Sequence, residues 1–165
     1  MILSVVEGDI TEQDVDAVVN AANSRMRGGG GVDGAIHRAG GPEVLEDCRR
    51  RFPHGLETGQ AGWTTGGDLL ARWVIHVVGP NWNRGQKDRS LLTSCYSNAL
   101  HVADEIGART LAFPLISAGA YGWPFDDAVR QGLTALRGAE TEVAEARLVL
   151  FGREAYAVAE RVLAG

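Results

Sequence analysis

Val15-Asp16-Ala17-Val18-Val19-Asn20-Ala21-Ala22-Asn23-Ser24-Arg25-Met26-Arg27-Gly28-Gly29-Gly30-Gly31-Val32-Asp33-Gly34-Ala35-Ile36-His37-Arg38-Ala39 is the stretch on which the fold turns. Val15–Val19 is a short β-branched run of the kind buried in a strand, Asn20–Asn23 is a polar stretch, and the glycines Gly28–Gly31 lead into a helical segment opening at Val32. Strand, glycine loop and helix together make the layout of an anion site. Glycine lets backbone N–H groups converge on a phosphate, and the helix N-terminus adds unpaired donors and about half a positive charge. The plain alternative is a tight turn that holds nothing. No Lys-Ser or Lys-Thr follows these glycines and no G-x-G-x-x-G stands among them, so neither a P-loop nor a dinucleotide fingerprint is present.

Further along, the strand-like run Thr110–Ile116 leads into Ser117-Ala118-Gly119-Ala120-Tyr121-Gly122-Trp123-Pro124 and then a helix carrying Asp126 and Asp127. Two such loops at the carboxyl ends of strands can flank one crevice of an α/β sheet, which suits a pyrophosphate gripped from both sides. Other strands are expected at Ile2–Val6, Ala61–Thr65, Arg72–Val78 and Arg147–Phe151. Helices are expected at Val32–Ala39, Pro42–Arg50 and Glu154–Leu163. Two more are expected where Leu92, Tyr96, Ala99 and Ala103, and then Val129, Leu133 and Leu136, recur at helical spacing. Strands alternating with helices predict an α/β sandwich, with Pro80–Asp88 as an exposed loop.

A length of 165 residues fits one domain, residues 1–165, and 45% hydrophobic with 22% charged residues suits a soluble globular enzyme. The net charge of −5 argues against a broad surface that tracks duplex nucleic acid, but not against a ligand with few phosphates held by backbone N–H groups. Cys48 and Cys95 show no C-x-x-C spacing, so two reduced, core-like thiols are expected rather than a zinc site or a disulfide. No apolar stretch approaches the roughly 20 residues of a membrane span, and Met1–Val6 lacks a basic signal-peptide start. A cytoplasmic location with no membrane association is the expectation.

Polar groups beside the loops are candidates for reading the rest of a ligand. Asp9, just past the first strand, either accepts from an exocyclic amine such as that of adenine or caps a turn. Asn20 and Asn23 either bridge sugar hydroxyls or shape a turn, and Asp33 either faces the ligand or complements the helix dipole. His37, one helical turn after Asp33, reads as packing and capping rather than as an acid–base partner, and His76 as a satisfied residue inside its strand. The tryptophans read as core or rim packing.

Taken together, Gly8-Asp9-Ile10-Thr11, Asn20-Ala21-Ala22-Asn23, the run from Gly28 to Pro42, Val74-Ile75-His76-Val77-Val78-Gly79-Pro80 and the Ser117–Pro124 loop resemble the macrodomain family over the full length. The likeness is closest to its MacroD-like hydrolase branch, through the Asn-Ala-Ala-Asn stretch and the glycine run ending in Gly-Val-Asp. That resemblance implies a three-layer α/β/α fold with a mixed central sheet and ADP-ribose in a cleft across its top. It implies that Asp9 holds the adenine amine, with a backbone contact from Ile10 and the ring of Phe151 against the base. Gly30, Gly31, Val32 and the loop Ser117, Ala118, Gly119, Ala120 and Tyr121 would cradle the pyrophosphate, with Tyr121 also near the distal ribose. Asn23 and Asp33 would face that ribose. Ala118 stands where such loops often carry Thr, Arg25-Met26-Arg27 replaces a usually more apolar approach, and Gly152-Arg153 stands where relatives tend to be acidic.

The resemblance further implies an enzyme without metal or cofactor that hydrolyses ester-linked ADP-ribose. Its substrates would be O-acetyl-ADP-ribose or ADP-ribosylated Asp and Glu side chains of proteins. Asp33 and Asn23 would be the catalytic residues, Asp33 activating or orienting a water and Asn23 fixing the ribose hydroxyls. The protein is expected as a monomer. Two rival functions are a non-catalytic ADP-ribose reader and a hydrolase of ADP-ribosylated nucleic acid. The acidic net charge disfavours nucleic acid as a partner, although a local rim of Arg25 and Arg27 could serve it.

Overall fold

In the computed structural model, which describes residues 1–165, the strands are β1 (Ile2–Glu7), β2 (Ala17–Ala22), β3 (Ala61–Thr65), β4 (Trp73–Val78), β5 (Thr110–Phe113) and β6 (Glu145–Leu150). They form one sheet in the order β1-β6-β5-β2-β4-β3, parallel throughout except for the antiparallel edge pair β3–β4. The helices are α1 (Gly31–Gly40), α2 (Pro42–Arg51), α3 (Arg89–Ile106), α4 (Phe125–Arg137) and α5 (Arg153–Ala164).

Strand side chains alternate between faces, and this distributes them between two cores. Ala17, Val19, Ile75, Val77, Leu111, Phe113, Ala146 and Leu148 join Leu92, Tyr96, Leu133 and Ala159 in the larger one, beneath α3, α4 and α5. Val18, Val74, Ala112 and Val149 face the other way and meet Ile36 of α1. Ala22 and Val78 continue that face toward Cys48 of α2 and Met26. The result is the expected mixed sheet between helical layers. No helix is long and apolar enough to cross a membrane.

Two strands differ from the sequence expectation. β2 runs through Ala22 instead of ending at Val19, because Asn20 pairs in register with His76 of β4 and its polar side chain is buried by hydrogen bonds. β5 stops at Phe113 instead of reaching Ile116, since Pro114 has no N–H to extend the ladder. The remaining elements match the expected runs to within a few residues at each end.

The consequence for function is that β1, β6, β5, β2 and β4 all deliver their carboxyl ends to one edge of the sheet. The loops after β2 and β5 rise there side by side, because these strands are hydrogen-bonded neighbours. Tyr96 of α3 fixes the second loop at its root, its fully buried hydroxyl accepting the Ile116 N–H at 3.1 Å.

Tyr96→Phe leaves that buried N–H unpaired, which typically costs about 1–3 kcal/mol. The urea unfolding midpoint is expected to fall accordingly at unchanged slope; an unchanged midpoint would mean that the loop root is held by packing alone.

Candidate ligand-binding and active site

The loops after β2 and β5 enclose a cavity of about 300 Å³ lined by Ala21, Ala22, Asn23, Gly29–Asp33, Gly79, Leu115–Ser117 and Gly119–Tyr121. Its chemistry begins with the backbone. α1 starts after Gly30 with no side-chain cap, and the first N–H to find an acceptor in the helix is that of Gly34. The N–H groups of Gly31, Val32 and Asp33 have no acceptor in the protein. Across the cavity, the N–H groups of Ala118, Gly119, Ala120 and Tyr121 are likewise unpaired. Two rows of donors and a helix N-terminus therefore line one space, an arrangement that favours an anion.

Glycine serves here for turning and leaves the cavity open. A Cβ on Gly30 or Gly119 would meet nothing within 4 Å and would project into that open space. Gly31 has φ of +57°, a left-handed conformation that turns the chain into α1. The second loop makes its turn at Ser117, a non-glycine at φ +67° whose buried Oγ has no partner. Asn83, in the segment before α3, grips that loop from outside. Its N–H donates to Tyr121 O and its amide to Ala120 O, both at 3.1 Å. Trp82 beside it stands edge-on to Trp123, with ring centres 5.0 Å apart.

Asp33 sits in the first turn of α1, only 5% exposed. Its Oδ1 accepts from the Asn20 amide at 2.7 Å and lies 3.3 Å from His37 Nε2. Its Oδ2 has no hydrogen-bond partner and faces Gly29, where an added Cβ would stand 3.1 Å away. The carboxylate is thus anchored by one oxygen and free at the other. Asn23 lies alongside but is partly committed: its amide donates to Gly28 O at 2.9 Å and its carbonyl accepts the Arg25 N–H at 3.1 Å.

Beneath Asp33 a row of polar groups crosses the sheet. The Asn20 amide also meets His76 Nδ1 at 3.0 Å, and His76 Nε2 meets Thr64 Oγ1 at 2.9 Å. Thr64 donates its hydroxyl to Thr65 O, so His76 Nε2 carries the proton and Nδ1 accepts from Asn20. Burial, reinforced by His37, pushes the His76 imidazole down to about 3, against weaker pulls from Asp33 and Asp47. It is neutral at working pH. Burial likewise pushes the Cys48 thiol, 3.7 Å from His76 Nε2, up to about 12, so this cysteine is a packed, unreactive group.

Of the residues singled out in the sequence, Asn23, Gly30, Gly31, Val32, Asp33, Ser117, Gly119, Ala120 and Tyr121 line the cavity. Ala118 contributes its backbone while its side chain packs on the larger core. Asp9, Ile10 and Phe151 lie outside the cavity, at the carboxyl ends of β1 and β6. Asp9 Oδ1 caps the turn at Thr11, accepting its N–H at 2.9 Å and its hydroxyl at 2.7 Å, which leaves Oδ2 unpaired. Phe151 is 86% exposed.

Three readings change. Asn20 is fully buried and holds Asp33 instead of meeting sugar hydroxyls. His37 contacts Asp33 rather than only packing. The Arg27 guanidinium is occupied by the carbonyls of Arg25, Met26, Phe52 and Pro53, so it staples the loop and does not form a free basic rim. Ala21, Ala22, Gly29, Gly79, Leu115 and Ile116, none of them singled out beforehand as a ligand contact, complete the lining.

The macro domain family model matches residues 19–131. A macro domain-containing protein of Streptomyces coelicolor is 56% identical over 158 residues, covering 93% of this chain and 94% of that protein. A macrodomain of Oceanobacillus iheyensis with ADP superposes with a TM-score of 0.93 at 38% identity, over 98% of this chain and 90% of that one. A Trypanosoma brucei macrodomain in complex with ADP-ribose gives a TM-score of 0.88 at 35% identity, over 98% and 68% of the respective chains.

His76 also makes stability depend on pH. Its folded value is depressed to about 3 from 6.5, so the unfolded chain binds a proton there that the native protein does not. Its contribution is complete above about pH 6.5 and is lost as pH falls through that window, with a slope of at most about 1.4 kcal/mol per pH unit. Urea titrations between pH 4 and 7 are expected to show a shallower decline for His76→Asn, which cannot ionise; equal slopes would mean His76 titrates alike in both states.

Proposed function

This chain belongs to the macro domain family, and we propose that it is a MacroD-like hydrolase that binds ADP-ribose and cleaves esters on its distal ribose. The observation that carries this is the anchored Asp33 carboxylate at one end of a cavity whose walls are unpaired N–H groups. A pyrophosphate between the loops accepts from the N–H groups of Gly31, Val32 and Asp33 on one side and Ala118–Tyr121 on the other.

The sheet sets the length of the ligand. From β1 to β2 there are three strand spacings, about 14 Å, so a ligand held between the loops can reach Asp9 and Phe151 with one arm. Asp9 Oδ2 then accepts from the adenine amine and the exposed Phe151 ring lies against the base. The other arm ends at Asn23 and Asp33. ADP-ribose has this shape: a base, a central pyrophosphate and a second ribose. The ligands carried by the Oceanobacillus and Trypanosoma macrodomains, ADP and ADP-ribose, agree with it.

For O-acetyl-ADP-ribose, Asp33 Oδ2 accepts a hydrogen bond from a water held over the ester. The water oxygen bonds to the acyl carbon as its proton passes to Asp33. The acyl C–O bond to the ribose then breaks, and the ribose oxygen recovers the proton, giving acetic acid and ADP-ribose. Asn20 holds Oδ1 throughout, with His37 Nε2 standing 3.3 Å from it, so the carboxylate needs no reorganisation. ADP-ribosylated Asp and Glu side chains present the same ester. Because Arg27 is bound to carbonyls, a nucleic-acid substrate lacks half of the rim it would have used.

Gly119→Glu fills open space with a carboxylate and is expected to fold normally, by circular dichroism, yet lose ADP-ribose binding in calorimetry; wild-type affinity would remove the second loop from the site. Asp33→Ala is expected to cut ester turnover by at least about 100-fold while ADP-ribose affinity changes far less. The measurement compares ester-linked and Ser-linked ADP-ribose side by side. Equal ester turnover in both proteins would remove the catalytic role, and no turnover of any linkage by the wild type would leave a reader.

A further inference from the structure

The row of polar groups under the site reaches further than binding requires. Asn20 and His76 face each other in register on β2 and β4, both buried and neither lining the cavity. Asn20 directs its amide nitrogen to two acceptors, Asp33 Oδ1 and His76 Nδ1, and leaves its own Oδ1 buried without a partner. A buried amide has two orientations. The alternative would set Asn20 Oδ1 against both the Asp33 carboxylate and the His76 lone pair, so two acceptors on opposite sides select the observed one.

Building on the reading of Asp33 as the group that meets the water, we propose that His76 is a positioning residue for the hydrolysis. Its Nδ1 locks the Asn20 amide in the orientation that ties down Asp33 Oδ1 and leaves Oδ2 turned to the cavity. His76 is itself held at its far side: its Nε2–H donates to Thr64 Oγ1 on β3, and the hydroxyl of Thr64 is spent on Thr65 O. The imidazole therefore can neither rotate nor change tautomer without breaking a buried bond. Without Nδ1, the Asn20 amide keeps one acceptor and gains a reason to turn, since its unpaired oxygen can seek a donor. A carboxylate that then wanders is costly, because small misplacements of a catalytic group lower rate more than they lower binding.

Isosteric replacement separates this role from packing. Asn at position 76 sets a carbonyl oxygen where Nδ1 stands, Gln sets its amide where Nε2 stands, and Phe keeps only volume. Wild type, His76→Asn, His76→Gln and His76→Phe are to be compared for kcat and KM on an ADP-ribosyl ester. The side-chain amide NMR signals of Asn20 report its order directly. Expected are a kcat lowered at least about 10-fold in the Gln and Phe variants with KM within about 3-fold, and near wild-type kcat for Asn. The Asn20 amide signals should stay sharp and dispersed in wild type and the Asn variant and collapse in the other two.

Equal loss in the Asn and Gln variants, or loss in KM instead of kcat, would overturn the proposal in favour of packing. Turnover by the wild type that all three variants retain would overturn it alone, whereas no turnover by the wild type would overturn it together with the hydrolase reading. Should the Gln and Phe variants unfold, Thr64→Val frees the far side of the ring without touching His76. A smaller loss of kcat with broadened Asn20 signals supports the proposal there, and unchanged values of both overturn it.

Discussion

A carboxylate that is 5% exposed needs donors, and Asp33 takes its shortest hydrogen bond from the Asn20 amide at 2.7 Å. That bond runs from the centre of a parallel strand to the first turn of the helix that follows it. The residues between them must therefore loop out and return within a short distance, which forces the glycine turn at Gly28–Gly31 and aims the start of α1 back over the sheet. The unpaired N–H groups at that helix start are then offered to the cavity. Arg27 secures the same loop from the other side through the carbonyls at Phe52 and Pro53. The row of unpaired backbone donors and the candidate catalytic side chain are thus two results of one connection.

The fold was legible because its strands are short apolar runs and its helices carry regular apolar spacing. These signals survive any detail of the site. Where they blurred, the cause was local. Pro114 ends β5 although the apolar run continues to Ile116. Asn20 extends β2 although it looks like the start of a turn, because a polar residue in a central strand is allowed once its hydrogen bonds are met inside.

The backbone half of the site was equally legible, since glycine clusters after strands have few other uses. The side-chain half was less so. Nothing in the spacing of Asn20, His76 and Thr64 says that they form a row, because they lie on strands joined only by register. An Asn and a His each at the inward-facing position of a strand was the available signal, and it takes the strand order to connect them. Arg27 reads as surface charge in the sequence and becomes a staple only when the carbonyls of a distant turn arrive around it. Asp9 illustrates the opposite case: capping and ligand contact read as alternatives in the sequence, yet a carboxylate has two oxygens and only one is taken by the turn.

The two bonds made by the Asn20 amide differ in chain separation: Asp33 lies 13 residues away and His76 lies 56. Closing the longer loop costs more entropy, and β4 with its antiparallel partner β3 forms an edge hairpin of the sheet. Both glycine loops spring from β2 and β5, whereas the second acceptor of the Asn20 amide comes from β4. The alignment of Asp33 thus draws on one strand more than the loops that shape the cavity, and the chain must pair β4 with β2 before that alignment is complete.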